Sequence, residues 1–272
     1  MKILIINIKE LVGVNEMPAP FVSGAAMGVL QTVKNAFLFI EKGLILEYGS
    51  MEHLFIPDEW KNKGIKLINA SGKLVFPSFC DSHTHLVYAG SREMEYIDKI
   101  KGLSYEEIAK RGGGILNSAK RLHEASETEL IGQALERLEE ITWLGTGAVE
   151  IKSGYGLNTE DELKMLRVIR ELKSLSPLTI KATFLGAHAI PLEYRGKQQE
   201  YVDLVINEMI PQVAAEELAD YIDVFCDKGF FSTDETERIL MAGLKYGLIP
   251  KIHANELDYS GGVQVGVKYA AL

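Results

Sequence analysis

The stretch Phe79-Cys80-Asp81-Ser82-His83-Thr84-His85-Leu86 places two histidines one residue apart, directly after the apolar residues 74–77. This pattern predicts the C-terminal end of a buried strand. Because residues i and i+2 of an extended segment point to the same side, His83 and His85 can present both imidazoles to one metal ion. A chance pair of surface histidines is the alternative, so the rest of the chain has to decide.

The composition is that of a globular protein. With 272 residues, 47% hydrophobic and 25% charged, the chain can form one large domain with a small appendage. A formal charge of −9 argues against the basic face of a nucleic-acid-binding protein. No run approaches the roughly 20 apolar residues that span a bilayer, and residues 1–7 are too short and polar for a signal peptide. Cys80 and Cys226 lie in apolar runs and predict buried reduced thiols, so we expect a cytoplasmic protein.

Residues 1–73 predict a small β-domain, the N-terminal part of a β-sandwich. Alternating and apolar runs bounded by turn residues indicate its strands. These are residues 2–8, a hairpin of 36–40 and 44–49 turning at Gly43, and the pair 66–69 and 73–76. No segment with helical periodicity precedes residue 100.

From residue 74 to 272 the pattern changes to strands that alternate with helices, five times over. After the first strand, the predicted strands are residues 147–152, 178–185, 221–226 and 248–254. Capping signals at Ser104, Ser126, Thr159 and Ser232 begin helices, and residues 201–218 and 261–271 predict two more. Buried strands that alternate with amphipathic helices indicate parallel βαβ units.

Polar residues stand at the C-terminal end of every predicted strand of residues 74–272. They are His83 and His85, then Lys152 and Tyr155, His188, Asp227, and finally His253 and Glu256. The strand ends of a (β/α)8 TIM barrel converge on one face, where active sites lie. We therefore predict an α/β protein of the TIM-barrel class. Only about five βα units are present, so we expect the chain to be the N-terminal part of a longer barrel.

His83, His85 and His253 are candidate ligands to one metal ion. Catalytic zinc usually takes three protein ligands and a water, and iron also accepts imidazole. Such an ion acidifies water and polarises a carbonyl oxygen. For His253 the alternative is a hydrogen-bonded core histidine at a strand end.

Glu256 and His188 are candidate catalytic residues. Glu256 follows His253 by three residues, so its carboxylate can carry a proton from water to a leaving nitrogen, unless it is a loop glutamate in solvent. His188 follows a turn of small residues and can polarise a substrate carbonyl, or simply form a buried hydrogen bond.

Three further residues are candidates for contacts with a ligand. Arg92 has the planar fork that binds a carboxylate with two hydrogen bonds, although a solvated arginine fits the sequence equally. Tyr155 lies between two glycines, which suits a tight loop that directs its phenol to a ligand. Lys152 ends a strand, where a carbamylated lysine bridges two metals in some hydrolases.

The sequence resembles imidazolonepropionase, of the amidohydrolase superfamily. Residues 79–92 look like the first-strand motif of that family. Residues 111–115, 150–157, 184–191, 223–231 and 251–256 look like further family blocks. The resemblance runs from about residue 36 to the end of the chain.

This resemblance implies one zinc or iron ion per subunit in a (β/α)8 barrel beside a small β-domain. It implies hydrolysis of 4-imidazolone-5-propanoate to N-formimidoyl-L-glutamate in histidine degradation. His83, His85 and His253 match family metal ligands. Arg92, Tyr155, His188 and Glu256 match substrate-contacting positions, with Glu256 as the proton shuttle. We also expect a homodimer that acts on a small carboxylate-bearing molecule, with no nucleic-acid or membrane partner.

The sequence departs from the family pattern in two respects. Ser78 stands where the family usually has glycine, and the last metal ligand of the family, an aspartate on strand eight, would lie beyond Leu272. If 272 residues are the whole molecule, we expect weak or absent metal binding and no useful activity. The alternatives are another cyclic-amide amidohydrolase, a deaminase, or a non-catalytic fragment that only binds a partner.

Overall fold

The computed structural model describes residues 1–15, 19, 21–55, 64–104, 107 and 114–272. Within it the chain forms two compact units, Met1–Ser78 and Phe79–Leu272. The assignment of residues 1–73 to a β-sandwich domain and of 74–272 to a barrel domain stays a prediction. No helix in the described ranges is long and apolar enough to cross a membrane.

The first unit contains a five-stranded sheet. Its strands are β1 (Lys2–Val12), β2 (Thr32–Glu41), β3 (Leu44–Ser50), β4 (Ile65–Asn69) and β5 (Leu74–Val75). They lie in the order β3-β2-β1-β4, and β5 pairs with β1. The predicted hairpin is confirmed: Lys42 and Gly43 both have positive φ, as a two-residue type I′ turn requires. Alternate residues of β2 enter two apolar clusters, Phe37 and Phe39 in one and Ala36 and Leu38 in the other, so β2 is buried on both faces.

The second unit is part of a parallel barrel. Its strands are β6 (Phe79–Thr84), β7 (Thr146–Lys152), β8 (Thr179–Ala187), β9 (Tyr221–Cys226), β10 (Ile249–Pro250) and β11 (His253–Ala254). They pair in parallel in the order of the sequence, and both β10 and β11 pair with β9. The prediction of five successive parallel strand positions is therefore confirmed, with the fifth divided at residues 251–252.

Helices follow each strand position, and all but the first of them cover one face of this sheet. They are α1 (Glu93–Ile100), α2 (Ile115–Glu124), α3 (Glu127–Trp143), α4 (Thr159–Leu175), α5 (Gln198–Leu204), α6 (Ile210–Ala215), α7 (Thr233–Lys245) and α8 (Gly262–Lys268). Their buried apolar residues pack on alternate residues of β7, β8 and β9. The intervening residues of those strands, among them Glu150, Thr183 and Asp223, face the other side.

Local capping signals predicted these helices well. Ser126 and Ser232 form complete capping boxes, whereas α4 is capped by Asn158 and not by Thr159. The predicted single helix 201–218 is interrupted by a π-helical turn, Val205–Met209, because Pro211 has no N–H to continue the α-helical pattern.

Several predictions need correction or fall outside the described residues. Helix α1 begins before residue 100 and was not predicted. Ser104 and Glu107 form the expected reciprocal hydrogen bonds, but the rest of that helix and residues 111–113 lie outside the described residues. The prediction that β6 and Cys80 are buried is wrong, since both are exposed, while Cys226 is buried. Among the described residues β6 pairs with β7 alone, so it forms an edge of the sheet.

Candidate metal and substrate site

The three histidines predicted to bind a metal lie together. His83 is in β6, His85 directly follows that strand, and His253 begins β11. One ring nitrogen from each lies within 4.8 Å of the others, and the Nε2 atoms of His83 and His253 are 3.0 Å apart. Two imidazole nitrogens on one tetrahedral zinc ion lie about 3.3 Å apart. The donor set and its spacing therefore fit a divalent metal ion, although their role as ligands stays a prediction.

The environment of His83 and His85 favours neutral imidazole, which is the form that binds metals. Burial, followed by the neighbouring His253 ring, lowers the pKa of His83. Burial and then His188 lower the pKa of His85 well below its ordinary value. Both rings are therefore ready to offer a lone pair at neutral pH.

His188 lies against this group, at the end of β8. Its ring stacks on that of His85 with centroids 5.0 Å apart, and its Nδ1 lies 2.8 Å from the carbonyl oxygen of Gly154. A carbonyl oxygen only accepts, so Nδ1 donates and Nε2 is left as an acceptor. Burial lowers the pKa of His188 to about 4, and the bond to Gly154 opposes that shift only in part. This tautomer does not suit the predicted role of polarising a carbonyl, which needs a donor at Nε2.

Tyr155 completes a row of rings beside the histidines. Its centroid lies 5.2 Å from that of His85 and 5.5 Å from that of His188. Burial raises the pKa of the Tyr155 hydroxyl, and the charge of Arg92 and a hydrogen bond from it oppose this shift. The phenol is therefore a neutral group between Arg92 and the histidines.

Hydrogen bonds to Glu162, a fully buried residue in the first turn of α4, hold the loop that carries Tyr155. Its carboxylate accepts the backbone N–H groups of Gly154 at 3.0 Å, Gly156 at 2.7 Å and Leu157 at 3.0 Å. Three backbone donors on one carboxylate fix the loop conformation. Sequence reasoning missed Glu162 because it counted only as part of a capping signal.

Arg92 stands at the N-terminus of α1. Its Nε and an Nη atom donate to one oxygen of Glu95, at 2.8 and 2.5 Å, and its side chain is 37% exposed. The guanidinium thus already binds a carboxylate in this chain. A carboxylate on a ligand would have to share or replace Glu95.

Glu256 is not gathered into the cluster. It is exposed, and its backbone N–H donates to Asp227 at 2.7 Å in the loop after β11. Among the described residues its carboxylate has no hydrogen-bond partner.

Lys152 does not have the surroundings of a carbamylated lysine. Its ammonium lies 2.5 Å from Glu150 and 2.9 Å from Asp223, inside the sheet. Burial disfavours its charge, but these two carboxylates outweigh burial and raise the pKa of Lys152. Carbamylation needs a neutral amine, so the alternative of a carbamate bridge is not supported.

Sequence reasoning missed a buried network of charged residues that contacts the histidines through Asp223. Asp223 Oδ2 lies 2.9 Å from His253 Nδ1, and Glu150 accepts from the Thr183 hydroxyl at 2.6 Å and contacts Lys251. The available signal was the alternation of charged and apolar residues in β7 and β9. Charges at alternate positions of a strand that is otherwise buried indicate an inward-facing polar row.

Comparison with known proteins finds relatives that share the name imidazolonepropionase. It is 56% identical to an imidazolonepropionase of Flavobacterium johnsoniae over 269 residues, which are 99% of this chain and 64% of that protein. It is 42% identical to an imidazolonepropionase of Brevibacillus brevis over 251 residues, 92% of this chain and 59% of that protein. The chain thus spans just under two thirds of the length of the Flavobacterium relatives. No protein-family model matches the sequence.

Solved structures share the fold at low sequence identity. A 5-methylcytosine deaminase from Klebsiella pneumoniae liganded with 5-fluorocytosine matches 99% of this chain and 55% of its own, with a TM-score of 0.64 and 17% identity. A triazine hydrolase from Arthobacter aurescens matches 98% and 58%, with a TM-score of 0.59 and 13% identity. These likenesses confirm the predicted fold, a partial (β/α)8 barrel with an N-terminal sheet.

Proposed function

We propose that the protein hydrolyses 4-imidazolone-5-propanoate to N-formimidoyl-L-glutamate in histidine degradation, because this chain belongs to the imidazolonepropionase family. It would act as a metal-dependent hydrolase of a carbon–nitrogen bond in a cyclic amide. The observation that carries this proposal is the meeting of His83, His85 and His253 within 4.8 Å, directly beside Tyr155 and His188.

One zinc or iron ion per subunit is the proposed cofactor, held by those three histidines. When bound, it supplies Lewis-acid chemistry, which polarises a carbonyl oxygen and acidifies water. Neutral imidazole suits both metals, so the ligands leave that choice open.

Arg92 is proposed to hold the propanoate carboxylate of the substrate. Two N–H groups of its guanidinium already converge on one carboxylate oxygen of Glu95, at 2.8 and 2.5 Å. A substrate carboxylate would take over one or both of these bonds. Tyr155, which lies between Arg92 and His85, would then set the distance between the bound carboxylate and the reacting ring.

His188 is proposed to accept a hydrogen bond from a ring N–H of the substrate. Its Nδ1 proton is engaged by the carbonyl of Gly154, so the free Nε2 offers a lone pair. This would orient the imidazolone ring against the stacked face of His85.

In the reaction, a water oxygen bonds to the ring carbonyl carbon, the amide carbon–nitrogen bond breaks, and the leaving nitrogen takes a proton. Glu256 is the proposed carrier of that proton. Its carboxylate is exposed, so this role requires the loop after β11 to bring it in from solvent.

The test combines metal content with turnover. We expect about one zinc or iron per chain by elemental analysis, and ring opening of imidazolone propanoate followed by its ultraviolet absorbance. His253→Ala should lose both, and the F. johnsoniae imidazolonepropionase is the positive control. Metal binding without turnover would support the metal site and contradict the hydrolytic activity. The absence of both metal and turnover would favour the alternative of a non-catalytic fragment.

The same assay separates the competing substrate classes. Faster turnover of hydantoin or cytosine than of imidazolone propanoate would favour another cyclic-amide hydrolase or a deaminase. The homodimer and the cytoplasmic location stay predictions, and sedimentation equilibrium would test the dimer.

A further inference from the structure

Asp223 and His253 are joined across neighbouring strands. Asp223 lies in the middle of β9, and β11 pairs with β9 so that His253 is opposite Phe225. The Asp223 Oδ2 atom is 2.9 Å from Nδ1 of His253, whose other nitrogen, Nε2, is 3.0 Å from His83. A carboxylate only accepts, so Nδ1 carries the proton and the Nε2 lone pair faces the histidine cluster.

Asp223 is itself held in place by Lys152. The aspartate is 1% exposed, and the same oxygen that contacts His253 accepts from Lys152 Nζ at 2.9 Å. Burial disfavours the charged carboxylate, but the contacts with His253 and Lys152 outweigh burial and keep the pKa of Asp223 below its ordinary value. Asp223 is therefore an anion with one fixed orientation.

Lys152 has its own support on β7 and β8. It lies 2.5 Å from Glu150, which also accepts from Thr183 at 2.6 Å and contacts Lys251. The network contains two carboxylates and two ammonium groups, so its charges balance. It links four strand positions of the barrel to a single histidine nitrogen.

We infer that Asp223 is a positioning residue for the metal site, which fixes the ring orientation and the tautomer of His253 while Lys152 holds the aspartate. The inference rests on the metal site of the proposed function. The role proposed for Asp223 differs from a purely structural one, because the aspartate determines which His253 nitrogen carries a proton.

The first measurement is the tautomer of His253 by long-range ¹H–¹⁵N NMR of the metal-free chain at pH 8. We expect the Nδ1–H form. In Asp223→Ala the acceptor for Nδ1–H is lost and Nδ1 is left near the Lys152 ammonium, which only donates, so we expect the Nε2–H form. Asp223→Glu, which keeps the carboxylate, should keep the Nδ1–H form and serves if the alanine variant does not fold.

The second measurement is zinc affinity by competition with a chelator. We expect Asp223→Ala to bind zinc about 10–100-fold more weakly. Asp220→Ala is the matched control: Asp220 precedes β9 and pairs with Lys173 and Lys181, at 3.0 and 2.8 Å, away from the histidines. Its affinity should stay within twofold of the parent chain.

The two measurements separate the possible failures. A folded Asp223→Ala variant that keeps the Nδ1–H tautomer and the parent zinc affinity would overturn the inference. A parent chain that binds no zinc would instead contradict the proposed metal site, while the tautomer measurement would still test the positioning by Asp223.

Discussion

His85 and His188 stack face to face, with ring centroids 5.0 Å apart and planes 10° apart. His85 follows β6 and His188 follows β8, so the contact reaches across β7, which lies between them in the sheet. The stack joins the candidate metal ligands to the residues that would contact a substrate. Replacing one ring of this pair at a time therefore distinguishes an effect on metal binding from an effect on the orientation of the substrate.

Replacing His188 with alanine should lower kcat/KM for imidazolone propanoate by about 10–100-fold, because a ring N–H of the substrate would lose its acceptor. The metal content should be unchanged, because His188 binds Gly154 and is not one of the three converging histidines. His53→Ala, at an exposed position of the first unit, is the control for both measurements. A metal loss as large as that of His253→Ala would show that His188 is a ligand.

Gly154 should tolerate no side chain. Its φ is +108°, and an added Cβ would lie 2.9 Å from Nδ1 of His188. We expect Gly154→Ala to lower the free energy of unfolding by about 1–3 kcal/mol in urea titrations. Gly132, in α3, has open space around its Cα, so Gly132→Ala should raise stability by about 0.5–1 kcal/mol. Equal effects at the two sites would contradict the described geometry.

Bound zinc should stabilise the fold. At a free zinc concentration of 100 times Kd, the free energy of unfolding should rise by about 2.7 kcal/mol. His83→Ala and His253→Ala should abolish most of this gain, whereas Cys226→Ser should keep it, because that buried thiol is not part of the cluster. A gain that persists in both histidine variants would place the zinc elsewhere.

Arg92→Lys should weaken binding of a carboxylate-bearing substrate. A compact ammonium cannot reproduce the two converging N–H groups that now contact Glu95, so we expect KM to rise about 10–100-fold with a smaller change in kcat. Arg238→Lys, at an ion pair with Asp203 of 2.6 Å, is the matched control and should leave KM unchanged. Indistinguishable KM values for the two variants would remove Arg92 from the substrate site.

The pair of His123 and Asp161 should make stability depend on pH. Its atoms Nδ1 and Oδ2 are 2.8 Å apart, and the hydrogen bond to the carboxylate raises the pKa of His123. The stability that a raised histidine pKa contributes is fully present below the unfolded-state pKa, near 6.5, and is lost as pH rises through the folded-state pKa. His123→Ala should therefore destabilise the chain more at pH 5.5 than at pH 9.

A double-mutant cycle checks this assignment by urea unfolding at the two pH values. In an Asp161→Asn background the pH dependence of the His123→Ala effect should disappear. If it persists there, another group is responsible.

Much of this protein is determined by local sequence. The strands from 146 to 226 and the helices after Ser126 and Ser232 follow from periodicity and capping, which involve residues only a few positions apart. Parallel strands place their C-terminal ends on one face, so the meeting of His83, His85 and His253 was also predictable.

Other features were decided only by the tertiary structure. Glu150, Lys152, Asp223 and Lys251 pair through the register of different strands, and no local rule relates those positions. Cys80 is exposed because β6 is an edge of the described sheet. The Glu256 side chain is exposed, and only its backbone N–H contacts Asp227, whose carboxylate also accepts from the N–H of Leu257. Sequence fixes which groups each strand presents, whereas strand register and loop closure determine which of those groups come within hydrogen-bonding distance.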